Sequence, residues 1–299
     1  MQIIDKMTWT FGTENTPAAS VDPGAVLLFQ TRDCFNGQIS SEGQLVQEID
    51  LSKANPAAGP VFINGAQPGD CLAVDILDIK VGDVGFACSI PGMGPLAHKA
   101  QSRTRMIPIK DGVASFNDVK WLIDPMVGVI GTAPAQGSAA CGVMGDHGGN
   151  IDSKYIKKGA RVYLPVRVPG ALLQMGDLHA SMGDGELCFT GIEIPGEVVA
   201  KVSLIKNVSL GWPLTETRDY WYMNTTSQSY EDSLRLACEE LARLACPAYG
   251  WDVTDFFIYL SLQGETALNQ GALPLMEPVP PMINVRVGIP KLADKNRLI

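Results

Sequence analysis

ELCFTGIEIPGEVVAKVSLI, residues 186–205, reads as two β-rich runs, 186–194 and 197–205, separated by Pro195 and Gly196. Alternating and β-branched side chains suit a pleated, half-buried surface, and Pro-Gly is turn chemistry. Outward from this stretch the same grammar recurs in VFIN (61–64), CLAVDILDI (71–79) and RVYLPVRV (161–168), with Gly-Ala-Gln-Pro-Gly-Asp at 65–70 and Pro169-Gly170 between them. The first two thirds of the chain are therefore predicted to be β meanders. The 31 glycines and 20 prolines among 299 residues exceed average usage, which favours short strands over long helices.

A helical period emerges late. From Ser229 to Ala245, Leu234, Ala237, Cys238, Leu241, Leu244 and Ala245 recur at three- and four-residue spacing. Ser229 is the expected N-cap, with Asp232 three residues on, and Pro247 and Gly250 are the expected stop. A second helix is expected from Asp252 or Thr254 to about Leu262, and a closing strand over INVRVGI, 283–289. The fold class that follows is mainly β with α+β parts, a sandwich or barrel body ending in a helical segment. A division into a β-rich body over 1–210, carrying the site, and an α+β part over 211–299 is expected, with one continuous body as the alternative.

The balance of 23 Lys and Arg against 32 Asp and Glu gives a formal charge of −9, with no clustered basic patch for a nucleic-acid partner. With 46% apolar and 18% charged residues the chain belongs among globular proteins. There is no membrane-length apolar run and no basic-then-apolar leader, so a soluble cytoplasmic protein is expected. Seven scattered cysteines without a CxxC pair match reduced thiols that pack as small hydrophobes.

The segment 128–152, GVIGTAPAQGSAACGVMGDHGGNID, has seven glycines and little strand period, and is expected to be a packed loop that approaches a ligand closely. It contains His147, Asn150 and Asp152. Further on come Met175-Gly-Asp177-Leu-His179-Ala180 and Gly183-Asp184-Gly185-Glu186. If 175–180 ends a strand, Asp177 and His179 share a face, as do Asp184 and Glu186 at the start of the next. Three carboxylates and an imidazole would then surround one small volume, and a divalent cation is the usual resolution of such crowding. Mixed His and carboxylate donors suit zinc or another first-row metal. The bland alternative is ordinary Asp and Gly turn chemistry.

His98 has no acidic companion nearby and reads as a surface histidine. Asp33 reads as a turn or cap residue. Its neighbour Cys34 is a nucleophile only if a base lies nearby. GxSxG, HExxH, a P-loop and a dinucleotide GxGxxG are absent.

Taken together, residues 65–79, 125–134 (PMVGVIGTAP) and 148–193 resemble the acetamidase/formamidase family. Within 148–193 lie Gly-Gly-Asn-x-Asp, Leu-Pro-Val followed by Gly-Ala-Leu, and Gly-Asp-x-His-Ala-x-x-Gly-Asp-Gly-Glu. Thr31 to Gln38 and the tail from Ser261 to Lys291 are similar to it as well. The resemblance implies hydrolysis of small linear amides, formamide or acetamide, to carboxylate and ammonia. It also implies homo-oligomers and an associated divalent metal, and carries Asn150, Asp152, Asp177, His179, Asp184 and Glu186 over as motif positions. Amidases with a Gly/Ser-rich Ser-Ser-Lys signature do not match. Nitrilase-type amidases would need a strand–helix alternation that the chain lacks before residue 229.

The expected chemistry is metal-assisted hydrolysis. Asp152 and His179 are the preferred ligands, with Asp33 and His147 as further candidates, zinc as the favoured metal and calcium as the alternative. Glu186 is the preferred general acid/base, and Asp177 belongs to the catalytic set. Asn150 and the backbone N–H groups of Gly148 and Gly149 are candidates to stabilise the oxyanion. Two rival readings remain: a β-rich small-molecule-binding module with a structural Ca²⁺ site, and a hydrolase of another C–N substrate. Calcium sites rarely use imidazole, so His179 discriminates against the first rival.

Overall fold

The computed structural model describes residues 1–271 and 282–299. Two large open, mostly antiparallel sheets pack face to face, a two-stranded ribbon of Thr10–Gly12 and Ser138–Ala140 lies apart from them, and a pair of helices covers the outer face of one large sheet. The first sheet has nine strands in the spatial order Gln2–Ile4, Val26–Thr31, Gly196–Ile205, Cys71–Val81, Arg161–Pro165, Leu214–Glu216, Tyr220–Ser227, Ile283–Pro290 and Glu265–Gln270. It runs through residue 210 without interruption, since the 161–165 strand pairs with 214–216. The second sheet is centred on Leu173–His179, which lies between Met126–Gly131 and Glu193–Ile194 and also pairs with Ala57–Ile63. Because both sheets are open, the body is a sandwich and not a closed barrel.

One strand shows how the sequence builds three layers. In Cys71–Val81, Leu72, Val74 and Ile76 face the core between the sheets, whereas Cys71 and Ala73 face the core beneath the helices. Successive strand side chains point to opposite faces, so a strand buried on both sides needs the continuous apolar run CLAV. The 161–165 strand does the same, with Val162 and Leu164 inward and Tyr163 under the helices.

The expected helices form. The first, α1, spans Tyr230–Tyr249; Ser229 caps it by accepting from the Asp232 N–H at 3.1 Å. It runs through Pro247, which removes the N–H that would bond the Arg243 carbonyl without ending the helix, and stops where Gly250 takes a left-handed φ of 70°. Ala237, Leu241, Leu244 and Ala245 bury its apolar face on the first sheet. The second, α2, spans Val253–Gln263, with the Asp252 carboxylate accepting from the N–H groups of Thr254 and Asp255. The closing strand spans Ile283–Pro290. Of the tail read as family-like, residues 272–281 lie outside the described residues. No helix among the described residues is long and apolar enough to cross a membrane.

Two expectations are corrected. Residues 128–152 are not one loop: Met126–Gly131 is a fully buried strand, and Gly148–Asn150 pairs with it. Glycine strands buried on both faces show no alternation to read. Conversely, of the run 186–194 only Glu193–Ile194 is strand. Residues 183–189 turn instead, with Glu186 N–H donating to the Gly183 carbonyl and Phe189 N–H to that of Glu186.

Candidate active site

The functional side chains converge where the 173–179 strand ends. Asp177 and His179 lie near its C-terminal end, and Glu193 sits opposite His179 in the neighbouring strand. Asp152 follows the 148–150 strand, held by donation from the Ile151 and Asp152 N–H groups to the Gly128 carbonyl at 2.9 and 3.2 Å. Glu186 comes from the 183–189 turn. Gln270, at the end of the Glu265–Gln270 strand, closes the group by donating from Nε2 to Asp152 Oδ2 at 2.9 Å and to Glu186 Oε2 at 2.8 Å.

Four carboxylates thus surround one imidazole, and all five side chains are buried. His179 Nε2 lies 3.1 Å from Glu193 Oε1, 3.6 Å from Asp177 Oδ1 and 3.9 Å from Glu186 Oε1. Burial works against a charged imidazole here, but Glu193 and Asp177 outweigh it and hold His179 well above its ordinary pKa. Burial, with His179 opposing and Glu193 adding repulsion, pushes the Glu186 carboxyl up to about 8. Asp152 is driven well above the carboxylate range by burial and then by Glu186 and Asp177.

Backbone conformation at the site is unusual. Asp152, Asp177 and Glu186 have φ values of 52°, 54° and 43°, and the neighbouring Phe189 has 71°. Left-handed backbone costs a non-glycine residue about 1–3 kcal/mol and persists where the surroundings over-determine it. Glycine supplies the room that these carboxylates need. A Cβ on Gly128 would stand 2.6 Å from Asp152 Oδ1 and 2.7 Å from Asp177 Oδ2, and one on Gly191 would stand 2.8 Å from His179 Nδ1.

The donor set fits a divalent cation. Asp152, His179 and Glu186 offer ligand atoms within 4.8 Å of one another, and so do Cys34, Asp177 and Glu193. Asp152 Oδ1, Asp177 Oδ1, His179 Nδ1 and Glu193 Oε2 are buried without a hydrogen-bond partner among the described residues. Orphaned buried oxygens beside crowded carboxylates are what a bound cation would satisfy. An imidazole and a thiol in the set favour a first-row metal over calcium.

The other residues singled out from the sequence divide clearly. Asn150 is buried beside the group, and its Oδ1 accepts from Asn55 Nδ2 at 3.3 Å. Asp33 lies close by, but its carboxylate accepts from the N–H groups of Phe35 (3.0 Å) and Gly37 (3.0 Å), so it organises a turn and belongs to neither ligand group. His147 also belongs to neither. It packs against Phe11 and the glycines at 145 and 149, and burial lowers its pKa to about 4. Gly148 and Gly149 are strand residues paired with 126–131 on one side and with Met144–Gly145 on the other. His98 is exposed, as expected.

Asp184 corrects the face argument. It points away from Glu186 and pairs with Lys154 and Arg286, each at 2.8 Å, because the left-handed turn at Glu186 breaks the alternation assumed for a strand. Glu193 and Gln270 were missed. Glu193 was hidden inside an apolar run, and Gln270 lies 84 residues beyond Glu186 with no local motif to mark it. Cys34 does have a carboxylate within reach, Glu193. Burial, Glu193 and Asp177 nevertheless push its thiol pKa well up, the opposite of what a thiolate nucleophile needs.

The group opens into a cavity of about 450 Å³ whose polar end is lined by Cys34, Asn150, Asp177, Glu186, Glu193 and Gln270.

Known proteins share the family and the fold of this chain. The profile of the Acetamidase/Formamidase family matches residues 10–140 and 138–236. The chain is 31% identical over 258 residues to an acetamidase of Mycolicibacterium smegmatis, covering 63% of each protein. It is 30% identical over 250 residues to a formamidase of Methylophilus methylotrophus, covering 63% of this chain and 61% of that protein. The matches therefore span about three fifths of the length of these relatives. A crystal structure of an acetamidase from Bacillus halodurans superimposes with a TM-score of 0.91 at 34% identity, over 96% of this chain and 97% of that one. With the family profile matching well over half of its length, the chain belongs to the acetamidase/formamidase family.

Proposed function

We propose that the protein is an amidohydrolase of linear amides, releasing a carboxylate and ammonia. The observation that carries this reading is the buried group of Asp152, Asp177, His179, Glu186 and Glu193 at the end of a substrate-sized cavity. Asp152 and His179 would hold a divalent metal ion, with zinc favoured by the mixed donor set; Glu186 stands beside them, and Asp177 groups instead with Cys34 and Glu193. When bound, such an ion supplies acidification of water and polarisation of the amide carbonyl.

The chain's own residues do the rest. An amide is a poor electrophile with a poor leaving group, so a proton must leave the attacking water and another must reach the departing nitrogen. Glu186, a buried carboxyl beside the proposed ligands, is suited to take that proton up and pass it on. Gln270 holds Glu186 Oε2, which leaves Oε1 to exchange the proton. Asn150 spends its Oδ1 on Asn55, so its Nδ2 is left to donate to the oxygen of the tetrahedral intermediate. Burial of the whole group excludes bulk water and strengthens each of these interactions.

The same reading includes a cytoplasmic homo-oligomer. Buried thiols at Cys34, Cys71, Cys88 and Cys141 support the reducing location, and the exposed Val253, Phe257, Ile258 and Leu262 on α2 support self-association.

The test is ammonia release from formamide, acetamide and larger amides by purified protein, before and after chelation, with metal assayed on the same sample. Activity that falls on chelation and returns with Zn²⁺ is the expected result. Undiminished activity in metal-free protein would overturn the metal assignment and bring Cys34 back as a nucleophile.

A further inference from the structure

We infer that the preferred substrate is a primary amide with a sizeable apolar acyl group, of roughly six to ten carbons, such as an arylacetamide. This rests on the amidohydrolase reading and concerns the rest of the same cavity. Formamide and acetamide have three and four heavy atoms, so each displaces roughly two to three water volumes, on the order of 60–90 Å³. The cavity is about 450 Å³, in the range that encloses much larger organic ligands.

Its walls agree with its size. Beyond the polar end the lining includes Trp9, Phe35, Leu51, Ile90, Met93 and Phe189. Trp9 and Leu51 are exposed, whereas Phe35 is buried. Phe189 is the residue held at a φ of 71°, an uncommon conformation for a bulky side chain, and the 183–189 turn that sets it there also delivers Glu186. No Lys, Arg or His lines the cavity among the described residues, so a carboxylate on the acyl chain would find no counter-charge.

The polar end also fixes the direction of binding. Carboxylate oxygens accept hydrogen bonds, so the amide –NH₂ faces Asp177 and Glu193, within reach of the acid/base Glu186, and the acyl chain runs toward the apolar walls. An N-alkylated amide would instead push its bulk into the buried group. Each methylene buried against the wall should raise kcat/KM about four-fold.

The experiment compares kcat/KM of the zinc-supplied protein for formamide, acetamide, hexanamide, phenylacetamide, succinamate and N-benzylacetamide. The expected result is a rise of at least 100-fold from acetamide to phenylacetamide, with succinamate and N-benzylacetamide at or below acetamide. Ala54→Trp, which narrows the cavity wall, should lower the phenylacetamide-to-acetamide ratio at least ten-fold. If formamide or acetamide is the best substrate, this inference is overturned while the hydrolase reading stands. If N-benzylacetamide outruns phenylacetamide, the direction of binding is wrong and the inference falls. If no amide releases ammonia, the hydrolase reading fails and takes the inference with it.

Discussion

Gln270 Nε2 lies 2.8 Å from Glu186 Oε2 and donates to it, tying the strand before residue 271 to the turn that carries the proposed acid/base. The same amide donates to Asp152, so one side chain sets two carboxylates of the group. Gln270→Ala should leave KM near its original value and lower kcat roughly 100-fold, the scale on which a misplaced reacting group acts. Steady-state kinetics beside a melting curve checks this. Unchanged kcat would remove Gln270 from the positioning set.

Glu186→Gln keeps shape and the hydrogen-bonding end but cannot transfer a proton. Turnover should fall about 100- to 10,000-fold. Zinc content should stay near that of the parent, because the proposed ligands Asp152 and His179 remain. Loss of metal together with activity would make Glu186 a ligand.

Gly128→Ala tests the space between two carboxylates. A methyl group there would stand 2.6 Å from Asp152 Oδ1 and 2.7 Å from Asp177 Oδ2, so the carboxylates or the backbone must move. The expected cost is about 1–3 kcal/mol of stability, together with reduced zinc content. A variant with the parent's metal content and activity would show that the site tolerates the displacement.

Asp184 holds the outside of the 183–189 turn through Arg286 and Lys154. Burial would raise its pKa, but these two cations win and hold it below its ordinary value. A depressed carboxylate pKa contributes stability above the unfolded-state value and loses it as pH falls through the folded-state value. Asp184→Asn should therefore melt below the parent at neutral pH, and the gap should close as the pH is lowered toward and below 4. A gap that does not change with pH would assign the loss to packing.

Local physics made much of this legible. The α1 helix showed its period, its Ser229 cap and its Gly250 end in one 22-residue window, since caps and i, i+4 contacts are short-range. The strand 71–81 announced itself through β-branched residues between turns. Asn150, Asp152, Asp177, His179 and Glu186 stood out because they sit in Gly-rich motifs within 37 residues of one another. The strand 126–131 did not, because both of its faces are buried and its glycines are there for close approach. Asp33 and His147 are secondary ligand candidates in the sequence, Asp33 reading first as a turn residue. Hydrogen bonds to a turn and packing against Phe11 separate them from the group.

By itself, then, the sequence determined the β-rich class, the late helices, the family resemblance and the neighbourhood of the site. These depend on periodicity, turn residues and motif order, all of which are properties of contiguous chain. Only the tertiary structure decided which carboxylates meet. Glu193 reaches His179 across a strand pair, and Gln270 reaches Glu186 from the far edge of another sheet, while Asp184, two residues from Glu186, faces outward. Those outcomes rest on strand register and on left-handed backbone at Asp177 and Glu186, which arise from packing between distant segments.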